Sequence, residues 1–231
     1  LLTEDFCTTV GEQALELVEY DFDLASELNV PGDWNTQRPE LYLYEGTIWY
    51  RQKFRGTPKP GYRTFLYFGA ANYEAVVGFN GHPIAKHLGG YTPFNIEVTD
   101  RLVAGENTVI VKVDNKRMLQ GVPTVNSDWW NYGGITRNVY VVTVPETFIR
   151  DYSVGLSADG QSIEGWVQLD GPALTQNVVL DIADLGIHET VTPDASGRAL
   201  FSVKALPVLW SPMNPKLYAV NITRSEERRV G

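Results

Sequence analysis

Short alternating runs of Val, Ile, Tyr and Phe recur from about residue 47 to about residue 222, each broken off by Gly, Pro, Asn or Asp. A period of two sends successive side chains to opposite faces, so such runs read as half-buried strands and the chain as all-β. The clearest are Thr47 to Phe54, Tyr62 to Phe68, Glu74 to Phe79, Asn107 to Val113 and Thr136 to Val144. In the fourth, Val109, Val111 and Val113 face one way while Thr108, Ile110 and Lys112 face the other. Asn80-Gly81 predicts a two-residue type I′ hairpin turn, because both residues tolerate positive φ, and Asp159-Gly160 repeats the signal. Thr9 to Val18 is the single helical candidate, with a poor apolar stripe interrupted by Gly11.

Pro145 cannot continue a central ladder after the strand ending at Val144, which predicts a boundary near Pro145-Glu146-Thr147. Beyond it a second set of short strands follows: Phe148 to Leu156, Ile163 to Leu169, Gln176 to Asp181, Ala199 to Val203 and Tyr218 to Ile222. The first set fits a jelly-roll double sheet and the second an immunoglobulin-like sandwich. The expected domains are thus 1–146 and 147–224, with 225–231 a charged, unpatterned tail. The start at Leu1, with neither Met nor a signal-like segment, reads as that of a fragment.

Charge narrows the partners. A formal net charge of -9 repels phosphate backbones and anionic membranes, so nucleic acid and membrane surfaces are not expected partners. No run reaches the roughly 18 apolar residues of a membrane helix. Cys7 is the only cysteine, so no internal disulfide forms, and His82, His87 and His188 have no ligand spacing that suggests zinc. No cofactor or metal is expected. The compartment, cytoplasmic or periplasmic, stays open.

The segment Asp128-Trp-Trp-Asn-Tyr-Gly-Gly-Ile-Thr-Arg-Asn-Val139 sets one carboxylate, three aromatic rings and a Gly-Gly turn ahead of an apolar strand. A carboxylate accepts hydrogen bonds from neighbouring hydroxyls, and Trp and Tyr offer flat apolar faces to the C–H side of a sugar ring. The competing reading is a buried Trp pair under a loop, with Asp128 capping a turn.

Several segments in order resemble glycoside hydrolase family 2, the β-galactosidases, β-glucuronidases and β-mannosidases. They are Val30-Pro-Gly-Asp-Trp-Asn35, Tyr44-Glu-Gly-Thr-Ile-Trp-Tyr-Arg51, Phe79-Asn-Gly-His82, His87-Leu-Gly-Gly-Tyr-Thr-Pro-Phe94, the Asp128 loop, and Leu209-Trp-Ser-Pro-Met-Asn-Pro-Lys-Leu-Tyr218. The loop and the His87 segment look most similar to the β-glucuronidase branch. The resemblance implies a sugar-binding jelly roll, an immunoglobulin-like domain, and catalytic glutamates in a (β/α)8 barrel downstream of this chain, which alone is then inactive. It also implies that Asp128 binds glycone hydroxyls of a β-glycoside, with Trp129 and Asn131 shaping the same wall. Trp130 and Tyr132 are expected to pack the loop against the sandwich and Arg137 to anchor it, while Asn138 stands where the family commonly has Asp. His87 is either a substrate contact or a structural donor. Glu40 and Glu45 are the carboxylates to test as a catalytic pair, against the plainer reading of ordinary loop residues. The opening strand of the family, with its Leu-x-Gly-x-Trp pattern, is not evident in Leu1 to Asp23. A free-standing carbohydrate-binding module and an all-β adhesion module remain the alternatives, and homo-oligomerisation through the β domains is left open.

Overall fold

In the computed structural model, residues 22–224 are described. The helix expected over Thr9 to Val18, the tail and Cys7 lie outside them. Thirteen strands and almost no helix make up the described chain. It divides into two compact units, Leu1–Thr143 and Val144–Gly231, whereas the sequence predicts a division a few residues later.

The first unit is a jelly-roll sandwich of two antiparallel sheets. One is built from β1 (Thr47–Gly56), β6 (Gly105–Asp114), β3 (Glu74–Phe79) and β4 (His82–Leu88), in that spatial order, and the other from β5 (Phe94–Glu97), β2 (Tyr62–Phe68) and β7 (Val139–Pro145). The ladder between β1 and β6 is the longest, running from Thr47 opposite Asp114 to Gly56 opposite Gly105. Alternation in β6 falls as its sequence predicts: Val109, Val111 and Val113 are buried and the residues between them are not. Phe79 meets Val109 on the neighbouring strand. Across the sandwich, Leu66 and Phe68 close the core, and the Phe68 ring stacks on Phe94 at 4.8 Å and 3°. Asn80 (φ 49) and Gly81 (φ 82) form the expected turn between β3 and β4. The Asn80 amide is tied to Thr108 N–H at 2.8 Å and to Arg101 O at 2.9 Å.

The second unit is an immunoglobulin-like sandwich with sheets β12 (Arg198–Lys204), β9 (Ser162–Asp170), β8 (Phe148–Leu156) and β11 (Ile187–Val191), β10 (Val178–Ile182), β13 (Asn221–Arg224). Val167 and Leu169 from β9 face Val178, Leu180 and Ile182 from β10 in its core. Three elements differ from expectation, the first being β11, a strand that the sequence analysis does not place. The β8–β9 connection is a wider turn than a two-residue hairpin, because the Asp159 carboxylate accepts from Ser157 Oγ at 2.6 Å and Gln161 N at 3.0 Å and so organises the loop itself. The last strand starts at Asn221, where pairing with Asp181 begins, while Tyr218 lies outside it with its hydroxyl accepting from Val208 N at 2.8 Å.

Phe79, at the end of β3 opposite Val109 of β6, is completely buried. Phe79→Ala is expected to lower stability by about 3–5 kcal/mol, read as a shift in the urea midpoint at constant slope.

Candidate functional site

Between the end of β6 and the start of β7, residues 115–138 cross one end of the first sandwich with no strand of their own. An extended segment at a core must still satisfy its N–H and C=O groups. Four buried asparagines, Asn35, Asn72, Asn115 and Asn131, do that work here.

Asn115 is the first residue past β6. Its N–H donates to Gly46 O at 3.1 Å and its Oδ1 accepts from Gly46 N at 2.8 Å, adding one rung to the β1–β6 ladder. Its Nδ2 donates to Asn131 O at 2.8 Å, and Asn131 Nδ2 returns a bond to Asn115 O. Asn131 Oδ1 accepts from Asn72 Nδ2 at 3.1 Å. Asn72 also exchanges backbone bonds with Gly134, at 2.8 and 3.2 Å.

The third support comes from the segment Gly32 to Asn35. Asp33 caps α1 (Trp34–Gln37), accepting from Thr36 N at 2.7 Å. The capped turn holds Asn35 so that its Oδ1 accepts from Gly133 N at 2.9 Å while its Nδ2 donates to Leu41 O and Tyr44 O. Trp34 N donates to Gly133 O and Gly32 N to Ile135 O, both at 2.9 Å. The indole of Trp34 lies against Gly133, where an added Cβ would sit 2.0 Å from Cζ2, and Gly134 has φ +135. Only the Gly-Gly pair fits this approach.

Anchoring by Asn131 and Gly133 turns the residues between and beside them outward. Trp130 is 40% and Tyr132 45% exposed, and Trp130 rests on Tyr42 with ring centroids 4.9 Å apart. The packing against the sandwich that the sequence predicts for this pair is therefore not what forms: the extended backbone alternates, and the inward places are taken by an amide and a glycine. Trp129 is 64% exposed. Asp128 is exposed, and no side-chain partner for it is found among the described residues. Asn131, expected on the same wall, is 4% exposed and committed to Asn72 and Asn115.

Arg117, which sequence reasoning missed, clamps the loop. Its Nε donates to Glu45 Oε1 at 2.9 Å, its Nη1 to Ser127 O at 2.5 Å and its Nη2 to Trp129 O at 2.8 Å. The two captured carbonyls bracket Asp128. Glu45 is thus an ion-pair partner, and Glu40 sits exposed on a single 3-10 turn (Pro39–Leu41). His87 stacks on Phe94 at 4.1 Å and its Nε2 lies 3.2 Å from Thr92 Oγ1, the structural role of its two options. Arg137 reaches Tyr91 O at 3.4 Å, and Asn138 Nδ2 donates to Tyr140 OH at 2.8 Å.

Two outcomes follow from this packing. Asn131→Ala strips a partner from two buried polar groups, Asn72 Nδ2 and Asn115 O, and about 1–3 kcal/mol of stability is expected to be lost in urea titration. Burial pushes the Tyr50 phenol above its ordinary 10.0, with the Asp33 carboxylate adding to the rise and the Ile135 backbone opposing it. Above pH 10 the unfolded chain loses a proton that the folded one keeps, so stability is full below about pH 10 and falls as pH rises. Tyr50→Phe should flatten that alkaline decline when urea midpoints are followed against pH.

Known proteins resemble this chain in sequence and fold. The model of the family described as "Glycosyl hydrolases family 2, sugar binding domain" matches residues 9–145. A putative beta-glucuronidase of Formosa agariphila is 25% identical over 217 residues, 88% of this chain and 26% of its own length. A beta-galactosidase of Thermoanaerobacter pseudethanolicus is 26% identical over 240 residues, 96% of this chain and 32% of its own. The chain therefore spans about a quarter to a third of the length of these relatives. The structure of a Bifidobacterium dentium beta-glucuronidase superposes with a TM-score of 0.80 over 93% of this chain and 42% of that one, at 24% identity, a likeness of fold. With more than half of its residues matched in this way, the chain belongs to glycosyl hydrolase family 2 and carries that family's sugar-binding domain.

Proposed function

We propose that this chain is the non-catalytic front part of a family 2 β-glycosidase acting on a β-glucuronide or β-galactoside, and that Asp128 accepts hydrogen bonds from glycone hydroxyls. The observation that carries the reading is the Arg117 clamp. By holding the carbonyls of Ser127 and Trp129, it fixes the backbone on both sides of an exposed carboxylate that has no side-chain partner among the described residues. A carboxylate held still and left unpaired is ready to accept from two neighbouring hydroxyls without first losing a partner. Trp129 supplies the adjoining apolar wall, and Asn131 shapes it from beneath as an anchor. Relatives named as beta-glucuronidases and a beta-galactosidase support the substrate class.

Retaining hydrolysis uses two carboxyls about 5–5.5 Å apart, one as acid/base and one as nucleophile. Glu45 is engaged with Arg117, and the resemblance to family 2 implies that the pair belongs to a downstream (β/α)8 barrel in the parent protein. Exposure of Trp129, Trp130 and Tyr132 favours one second reading, a carbohydrate-binding module that works alone.

Hydrolysis of aryl β-glucuronide and aryl β-galactoside by the parent protein, with and without Asp128→Ala, tests the reading. Activity on one of them that falls at least about tenfold in the variant, roughly 1.4 kcal/mol of transition-state stabilisation, is the expected result. Activity on neither overturns the enzyme reading in favour of the module.

A further inference from the structure

A hollow of about 130 Å³ lies beside the clamp, walled by Tyr42, Leu43, Glu45, Arg117 and Trp130. Pockets that hold a drug-sized ligand whole measure about 300–1,000 Å³. This one is smaller, so it can grip the edge of a single ring and no more.

Its walls are not accounted for by the core. Tyr42 is 55% exposed, and together with Trp130 and Tyr132 it makes a continuous aromatic surface, with centroid separations of 4.9 and 6.1 Å. One oxygen of Glu45 is held by Arg117 at 2.9 Å, and the other has no partner among the described residues. An aromatic face next to a carboxylate oxygen that can still accept is the chemistry of a ring with C–H on one side and hydroxyls on the other. The site is also stiff. Asn35 and Asn131 beneath it are fully engaged, and Arg117 links Glu45 to both neighbours of Asp128.

We infer that this hollow is a leaving-group subsite for a neutral, hydroxylated sugar ring, with Tyr42 and Trp130 as its wall and Glu45 as its hydrogen-bond acceptor. The inference rests on the glycosidase reading above and places a second sugar beside the one that Asp128 holds. A neutral ring is favoured over an acidic one because the unpaired oxygen here is anionic and the chain as a whole carries -9.

The test uses the parent protein and two substrates with the same glycone. One bears a methyl leaving group, and in the other the glycone is β-linked to a neutral hexose. Both leaving groups are alkyl alcohols, so a difference between them reports binding more than bond strength. Tyr42→Ala and Glu45→Gln are each expected to lower the ratio of kcat/KM for the disaccharide to that for the methyl glycoside by at least about fivefold, mainly through KM. Gln at 45 keeps an acceptor for Arg117, so this variant does not depend on loss of the clamp. An equal loss on both substrates assigns these residues to holding the loop and overturns the subsite, as does no loss on either. Inactivity of the unsubstituted protein on both substrates sinks the glycosidase reading itself, and the subsite with it.

Discussion

The bond pair between Asn115 and Asn131 is what the site depends on. Without it, residues 127–134 would be a loop laid over an open sandwich end, with buried carbonyls and amides left unpaired. An asparagine side chain carries the same donor and acceptor as a peptide group. Asn115 uses this likeness to extend the β1–β6 ladder by one rung through Gly46 and then to pass the pairing on to Asn131. The sheet thus reaches the loop through side chains, and a segment without regular structure gains the rigidity of a strand. A binding group set on such a support is more precisely held than one on a free loop.

Arg117 and the Gly32 to Asn35 segment act on top of that lattice, each on a different stretch. The guanidinium fixes residues 127 and 129 from outside, where salt and water weaken it. Trp34 and Asn35 fix residue 133, and Gly32 fixes residue 135, from inside. Neither would be enough alone, since the Arg117 clamp reaches only residues 127 and 129 and the inner bonds end before Asp128.

Strands such as β6 were legible because alternation is local: Val109, Val111 and Val113 announce a buried face whatever they pack against, whereas the short β5 and β11 were not read. The Asn80-Gly81 turn was legible for the same reason, since positive φ at two successive residues belongs to the turn itself. Asp128 and the Gly-Gly pair could be located from one continuous segment. What could not be read was the convergence. Asn35 meets Gly133 across 98 residues and Gly46 meets Asn115 across 69, and nothing in Asp114-Asn-Lys-Arg117 distinguishes a clamp from the polar end of a strand. The outward turn of Trp130 and Tyr132 was hidden by the same ignorance. Aromatic residues next to an apolar strand suggest burial until Asn131 and Gly133 are known to occupy the inward places.

That alternation separates two kinds of selective pressure within a single loop. Positions 131 and 133 answer to the fold, because a change at either strands a buried amide or strikes the Trp34 indole. Positions 130 and 132 face solvent and answer only to what touches them. Substitutions at the outer positions can therefore accumulate at little cost to folding, so relatives that keep the same anchors are free to diverge in the rings they present. The loop is built to change its preferences without having to be rebuilt.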